Sequence, residues 1–297
     1  MPIPESQLKT LSHHGSIIQS SQTYNAIKRV LEESTTPYSG KTFEVFLQGS
    51  YCNDTNIRAE SDVDIIIRLD DSYHSEISSL SERERSDYKA KFSAATYTYT
   101  EFKQDVMCVL EDKYGSAVRA GDKAIAIEAG GLRRKADVIV ATQFRRYLQY
   151  RSAEASEYTE GICFFNNARE LIANYPKQHS ANLTAKHQAS SKWLKPMIRV
   201  LKNMRSHMVD EKLIKAGAVP SYYLECLLYN VPSEKFTHSF QNCMINILNW
   251  YREEASKTDL VCANEQYYLL RDGYHTCWSQ EECDAFIEGA IELWNQW

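Results

Sequence analysis

Apolar positions change their spacing part-way along the chain. Residues 17–33 carry apolar side chains at helical intervals, and Pro37 and Gly40 then stop the helix they predict. Residues 42–47 (Thr-Phe-Glu-Val-Phe-Leu) and 62–69, which holds Ile65-Ile66-Ile67, are rich in aromatic and β-branched residues and predict strands. A charged, tyrosine-rich stretch over 81–114 reads as helical for most of its length. Strand-like runs follow at 124–128 and 136–141, and 161–174 suits a last hairpin. Beyond Tyr175-Pro176 the 3.6-residue period takes over, with helices expected near 184–208, 220–230, 236–255 and 279–294. The pattern predicts an α+β chain: a mixed α/β lobe over 1–178 and an α-helical lobe over 179–297. No internal repeat or low-complexity tract interrupts it.

Length and composition fit this picture. A chain of 297 residues, 43% hydrophobic and 25% charged, can bury a sizeable core. The amino terminus lacks a basic region leading into an apolar run, and the longest apolar stretches are strand-sized. Neither a secretory signal nor a membrane span is expected, which points to the cytoplasm. The eight cysteines include no C-x-x-C pair, a pattern that suits reduced thiols better than a disulfide frame or zinc site. The net charge of −5 argues against a long duplex ligand, which needs a basic surface to displace counterions. Small anions such as nucleoside triphosphates fit better.

The chemistry concentrates in few residues. Asp62 and Asp64 stand two apart at the head of an otherwise aliphatic strand, so both carboxylates leave the same face. Asp137 opens a second apolar strand in the same way. If the strands are neighbours, three carboxylates share an edge and require cations. All-oxygen donors suit Mg²⁺, or Mn²⁺, in a pair that orients a hydroxyl and neutralises a leaving pyrophosphate. Gly49-Ser50 follows a strand twelve residues before Asp62, where glycine permits close approach of a phosphate and serine offers a hydroxyl and amide. Each feature alone has a plain reading as a strand end or turn. Lys192, Lys195, Arg199, Lys202 and Arg205 recur at helical spacing, either as a solvated stripe or as a cationic wall facing a triphosphate. Pro196 marks a kink or the early turns of that helix. The histidines have no ligand spacing, and neither a G-x-S-x-G elbow nor a Walker A loop is present.

These motifs resemble the active site of the polymerase-β-like nucleotidyltransferases, and among them the bacterial cGAS/DncV-like nucleotidyltransferases of clade E. The resemblance runs through LQGSYCNDTNIRAESDVDIII (47–67), ADVIVATQFRRY (136–147), NYPKQH (174–179), KPMIRVLKNMR (195–205) and PSYYLECLLYNVP (220–232). It implies a nucleotidyltransferase core with a helical lobe closing over a cleft. It also implies synthesis of a cyclic oligonucleotide second messenger for antiphage defence, sensed by a downstream effector. By resemblance, Asp62, Asp64 and Asp137 hold two metal ions and Asp137 helps activate the 3′-hydroxyl. Gly49 and Ser50 hold the donor triphosphate, Lys202 and Ser221 reach its terminal phosphates, and Tyr222 stacks on a base. Asn174 matches a position associated with uracil recognition, which implies UTP and ATP as substrates and a pyrimidine-containing product, cyclic UMP–AMP or cyclic di-UMP. A monomer that needs no long nucleic acid is expected. The carboxylates alone leave other acceptors open (RNA, a small molecule, a protein), as well as a non-catalytic nucleotide-binding module. The acidic, tryptophan-bearing carboxyl terminus suits packing on the core better than a partner-facing role.

Overall fold

The computed structural model describes residues 2–15, 17–57, 62–91, 93–274 and 276–297. It divides into two compact units, one of residues 18–48 and 62–176, the other of 1–17, 49–61 and 177–297. The change of character read near residue 178 falls beside the step at 176/177. Two amino-terminal pieces nevertheless group with the helical residues.

The first unit is built on a seven-stranded mixed sheet of β1 (Phe43–Leu47), β2 (Val63–Glu76), β3 (Val118–Ala120), β4 (Ile125–Ile127), β5 (Ala136–Tyr150), β6 (Ser156–Phe165) and β7 (Leu171–Asn174). The order is β1-β2-β5-β4-β3, with β6 pairing both β5 and β7. Only the central β2–β5 pair is parallel. Alternation sends Val63, Ile65, Ile67, Val138 and Val140 to one face, where they bury against Ile27, Leu31, Phe102, Val106 and Leu110. Those partners come from the helices Ile18–Leu31 and Tyr99–Tyr114. Ile66, Ala141, Ile162 and Phe164 form a smaller cluster.

Three differences from the sequence reading have physical causes. β2 and β5 run on to Glu76 and Tyr150, well past their aliphatic halves. There a tyrosine cluster (Tyr88, Tyr147, Tyr150) replaces aliphatic burial, and the Arg145 guanidinium lies 3.9 Å from the centre of the Tyr73 ring. The charged stretch over 81–114 divides into helices Glu82–Lys91 and Tyr99–Tyr114, the second opened by a Thr98/Glu101 capping box. The helix expected over 184–208 is likewise two, Pro176–Ala189 and Leu194–Asp210, parted at Ser191 and Lys192, whose φ values are 50° and 68°. Pro196 then sits in a first turn, where its missing N–H is harmless.

The second unit packs these helices with Ser221–Asn230, Phe240–Asn249 and Gln280–Gln296 around Met197, Leu201, Met204, Leu224, Leu228 and Ile287. A short helix, Glu5–Leu11, adds Leu8 to the same core. Trp294 is buried and the Trp297 ring lies 5.1 Å from that of His207, so the carboxyl terminus packs on its own unit. All eight cysteines are free thiols. Among the described residues, no helix is long and apolar enough to cross a membrane.

Candidate active site

In the sheet unit the acids gather at the head of the parallel pair. The register opposes Val63 to Ala136 and Asp64 to Asp137, and the Val63 amide donates to the Lys135 carbonyl at 3.0 Å. Residues paired across a sheet face the same way, so Asp64 and Asp137 share a face; Asp62, two before Asp64, lies on it too. Lys135 stands two before Asp137, and its Nζ reaches Asp62 Oδ2 at 2.7 Å. The Asp137 carboxyl is raised above its ordinary 3.8: burial raises it, the Lys135 ammonium lowers it, and the Asp62 and Glu128 charges raise it again. Among the described residues, no three histidine, cysteine or acidic groups converge on one point. The donors by their chemistry suit Mg²⁺ or Mn²⁺, being carboxylates without imidazole or thiol.

In the helical unit, Gly49 has φ +70°, a conformation that favours glycine, and begins a single turn of helix, Gly49–Cys52. That turn is held by Asn53 N–H to Gly49 O at 3.0 Å and Thr55 N–H to Ser50 O at 2.9 Å. Beyond it lies a feature the sequence reading missed. Glu225 is buried and accepts from four side chains: Asn53 Nδ2, His179 Nε2 and Lys202 Nζ, each at 2.9 Å, and Thr55 Oγ1 at 2.5 Å. Burial alone would raise its carboxyl, but Lys202 and His179 hold it far below the usual range. A lone glutamate within Tyr-Tyr-Leu-Glu-Cys-Leu-Leu was the available signal, since carboxylates are seldom buried unpaired.

The basic stripe is not solvated. Lys195, Arg199, Lys202 and Arg205 are all buried, while Lys192 lies ahead of the helix and is exposed. Arg199 donates to the carbonyls of Ser12 and Asp54, and Arg205 to the Val219 carbonyl and Ser221 Oγ. These cations bind carbonyls and a carboxylate that lie far away in sequence. Ser221 is therefore oriented by Arg205 at the start of its helix. The Tyr222 ring stacks on His179 at 4.9 Å and 22°, and its hydroxyl accepts from Asn264 Nδ2 at 3.1 Å. Asn174, back in the sheet unit, ends β7. Its Oδ1 accepts the Tyr175 amide at 2.8 Å. Next to Ile162, its partner on β6, Gly161 leaves room that a Cβ would close to 2.6 Å from the Asn174 carbonyl oxygen.

Comparison with known proteins fixes the family. Residues 8–117 match the Second Messenger Oligonucleotide or Dinucleotide Synthetase domain, and residues 181–295 match the cGAS/DncV-like nucleotidyltransferase C-terminal helical domain. A cyclic UMP-AMP synthase of Rhodothermus marinus is 37% identical over 299 residues, covering 100% of this chain and 99% of that protein. The chain belongs to the cGAS/DncV-like nucleotidyltransferases. A cyclic nucleotide synthase of Staphylococcus haemolyticus is 36% identical over the whole of both chains. The solved structure of the Rhodothermus marinus c-UMP-AMP synthase, with Apcpp and Upnpp, superposes with a TM-score of 0.89 at 35% identity, covering 100% of this chain and 98% of that one. This cGAS/DncV-like nucleotidyltransferase is accordingly an enzyme of cyclic nucleotide synthesis with the mixed α+β fold of its relatives.

Proposed function

We propose that this enzyme condenses UTP and ATP, or two molecules of UTP, into a pyrimidine-containing cyclic dinucleotide, releasing pyrophosphate at each bond. The observation that carries the chemistry is the Asp64–Asp137 pairing across β2 and β5 with Asp62 on the same face. Asp62, Asp64 and Asp137 hold two Mg²⁺ or Mn²⁺ ions. When bound, such ions neutralise charge on the leaving pyrophosphate and make the attacking hydroxyl more acidic. Asp137, raised by burial and by its acidic neighbours, takes up the 3′-hydroxyl proton. Gly49 and Ser50 present backbone and hydroxyl groups to the donor triphosphate. Lys202 and Ser221 serve its terminal phosphates, which requires the Lys202 ammonium, buried against Glu225, to turn towards them, and Tyr222, braced by His179, stacks on a base.

The product acts as a second messenger in bacterial antiphage defence, received by a cyclic-nucleotide-responsive effector. A cytoplasmic monomer without a nucleic-acid requirement agrees with the −5 charge. Purified protein given the four NTPs with Mg²⁺ or Mn²⁺ should yield a phosphatase-resistant product whose mass contains UMP. A linear product, or extension of added RNA, would replace this reading with one of another acceptor.

Asn174 supplies the base preference, its amide offering a donor and an acceptor to the uracil O4 and N3–H edge. Asn174→Ser should shift the UTP-to-ATP incorporation ratio by about tenfold or more, the worth of one or two lost hydrogen bonds. Competition with labelled UTP and ATP reads this directly, and an unchanged ratio removes Asn174 from base recognition.

A further inference from the structure

Lys135 has no role in the chemistry above, yet its ammonium stands 2.7 Å from Asp62 Oδ2 on the acidic edge. The β2–β5 register makes a small grid on one sheet face, Asp62 beside Lys135 in one row and Asp64 beside Asp137 in the next. The grid therefore holds three carboxylates and one ammonium. The Lys135 backbone is pinned, since its carbonyl accepts the Val63 amide at 3.0 Å. Its side chain is 40% exposed, on a flexible stem that can leave Asp62 without disturbing the strands.

We propose that Lys135 is a built-in counter-cation that competes with divalent metal for Asp62, so that metal enters together with nucleotide instead of before it. The inference rests on reading the acidic edge as a metal site. In the nucleotide-free protein the ammonium occupies a carboxylate oxygen and offsets one of three negative charges, which weakens attraction for a free ion. An arriving triphosphate brings its own oxygens as ligands and its own negative charge, and both favour exchange of the ammonium for metal. An exposed ion pair contributes little to stability, so its place beside Asp62 has more consequence for ligand affinity than for folding.

Mn²⁺ binding to the full-length, nucleotide-free protein, followed by the electron paramagnetic resonance signal of free Mn²⁺, tests this. Lys135→Met should tighten Mn²⁺ binding about tenfold, the effect of removing one nearby positive charge. Lys135→Arg should bind as the parent does. Adding a non-hydrolysable triphosphate should narrow the gap between parent and Lys135→Met. Equal Mn²⁺ affinity of parent and Lys135→Met, with Asp62→Asn/Asp64→Asn abolishing binding, overturns the role of Lys135 and leaves the metal site standing. Binding that survives Asp62→Asn/Asp64→Asn in the Lys135→Met background overturns the metal site itself.

Discussion

Asp64→Asn and Asp137→Asn will each form cyclic product at least about 10³-fold more slowly than the parent enzyme, a barrier increase of roughly 4 kcal/mol at 1.36 kcal/mol per decade. Asparagine keeps the shape and one oxygen but loses the charge that a divalent ion needs, so every step that depends on the metal suffers. Stability should move the other way. Asp137 is half-buried, and its carboxyl stands above its ordinary 3.8 because burial, Asp62 and Glu128 together outweigh Lys135. A carboxylate whose folded pKa is raised destabilises the fold when ionised, and that penalty fades as pH falls through the folded value. Asp137→Asn lacks the penalty at every pH. In metal-free buffer at pH 7 it should therefore melt at or above the parent temperature, and the gap should narrow towards pH 4. A functional site held at the expense of stability behaves in this way. Product formation by Asp137→Asn above about a tenth of the parent rate would deny the residue its place in the chemistry.

The acidic edge was legible in the sequence because its signal is local. A charge at the head of an aliphatic strand is conspicuous, and the two-residue period fixes which face Asp62 and Asp64 take. The later halves of β2 and β5 were not legible, since Arg145 and Tyr147 pack by cation–π and ring contacts that leave no aliphatic alternation. The basic stripe was half legible. Its spacing gave the helix face, but burial depends on partners remote in the chain: Ser12 and Asp54 for Arg199, Glu225 for Lys202. The same long-range bonds draw residues 1–17 and 49–61 into the helical unit, and Asn203 adds another through the Leu11 carbonyl. Periodicity cannot report such grouping, because it describes one element at a time.

Glu225→Ala should destabilise the protein by about 3–5 kcal/mol, a large share of the stability of an ordinary domain. The substitution takes the Glu225 carboxylate from the Lys202 ammonium, which has no solvent exposure at all, and the acceptor from Asn53, Thr55 and His179 together. Urea titration will read the loss. Lys202→Met/Glu225→Leu should recover a large part of it, since removing both charges spares the penalty of burying one. Acid provides an independent check with a definite sign. The Glu225 carboxyl lies far below its reference value of 4.5, held there against burial by Lys202 and His179. Its contribution is complete above about pH 4.5 and drains away below it, by about 1.4 kcal/mol per pH unit. Glu225→Gln lacks the charge and keeps only one of the two acceptor oxygens, so whatever stability it retains should show a flatter profile over this segment than the parent's. If instead Glu225→Ala unfolds within about 1 kcal/mol of the parent, the four-donor carboxylate is not what holds the Asn53–Thr55 turn to the Lys202 helix, and the preset position of Gly49 and Ser50 must come from elsewhere in the unit.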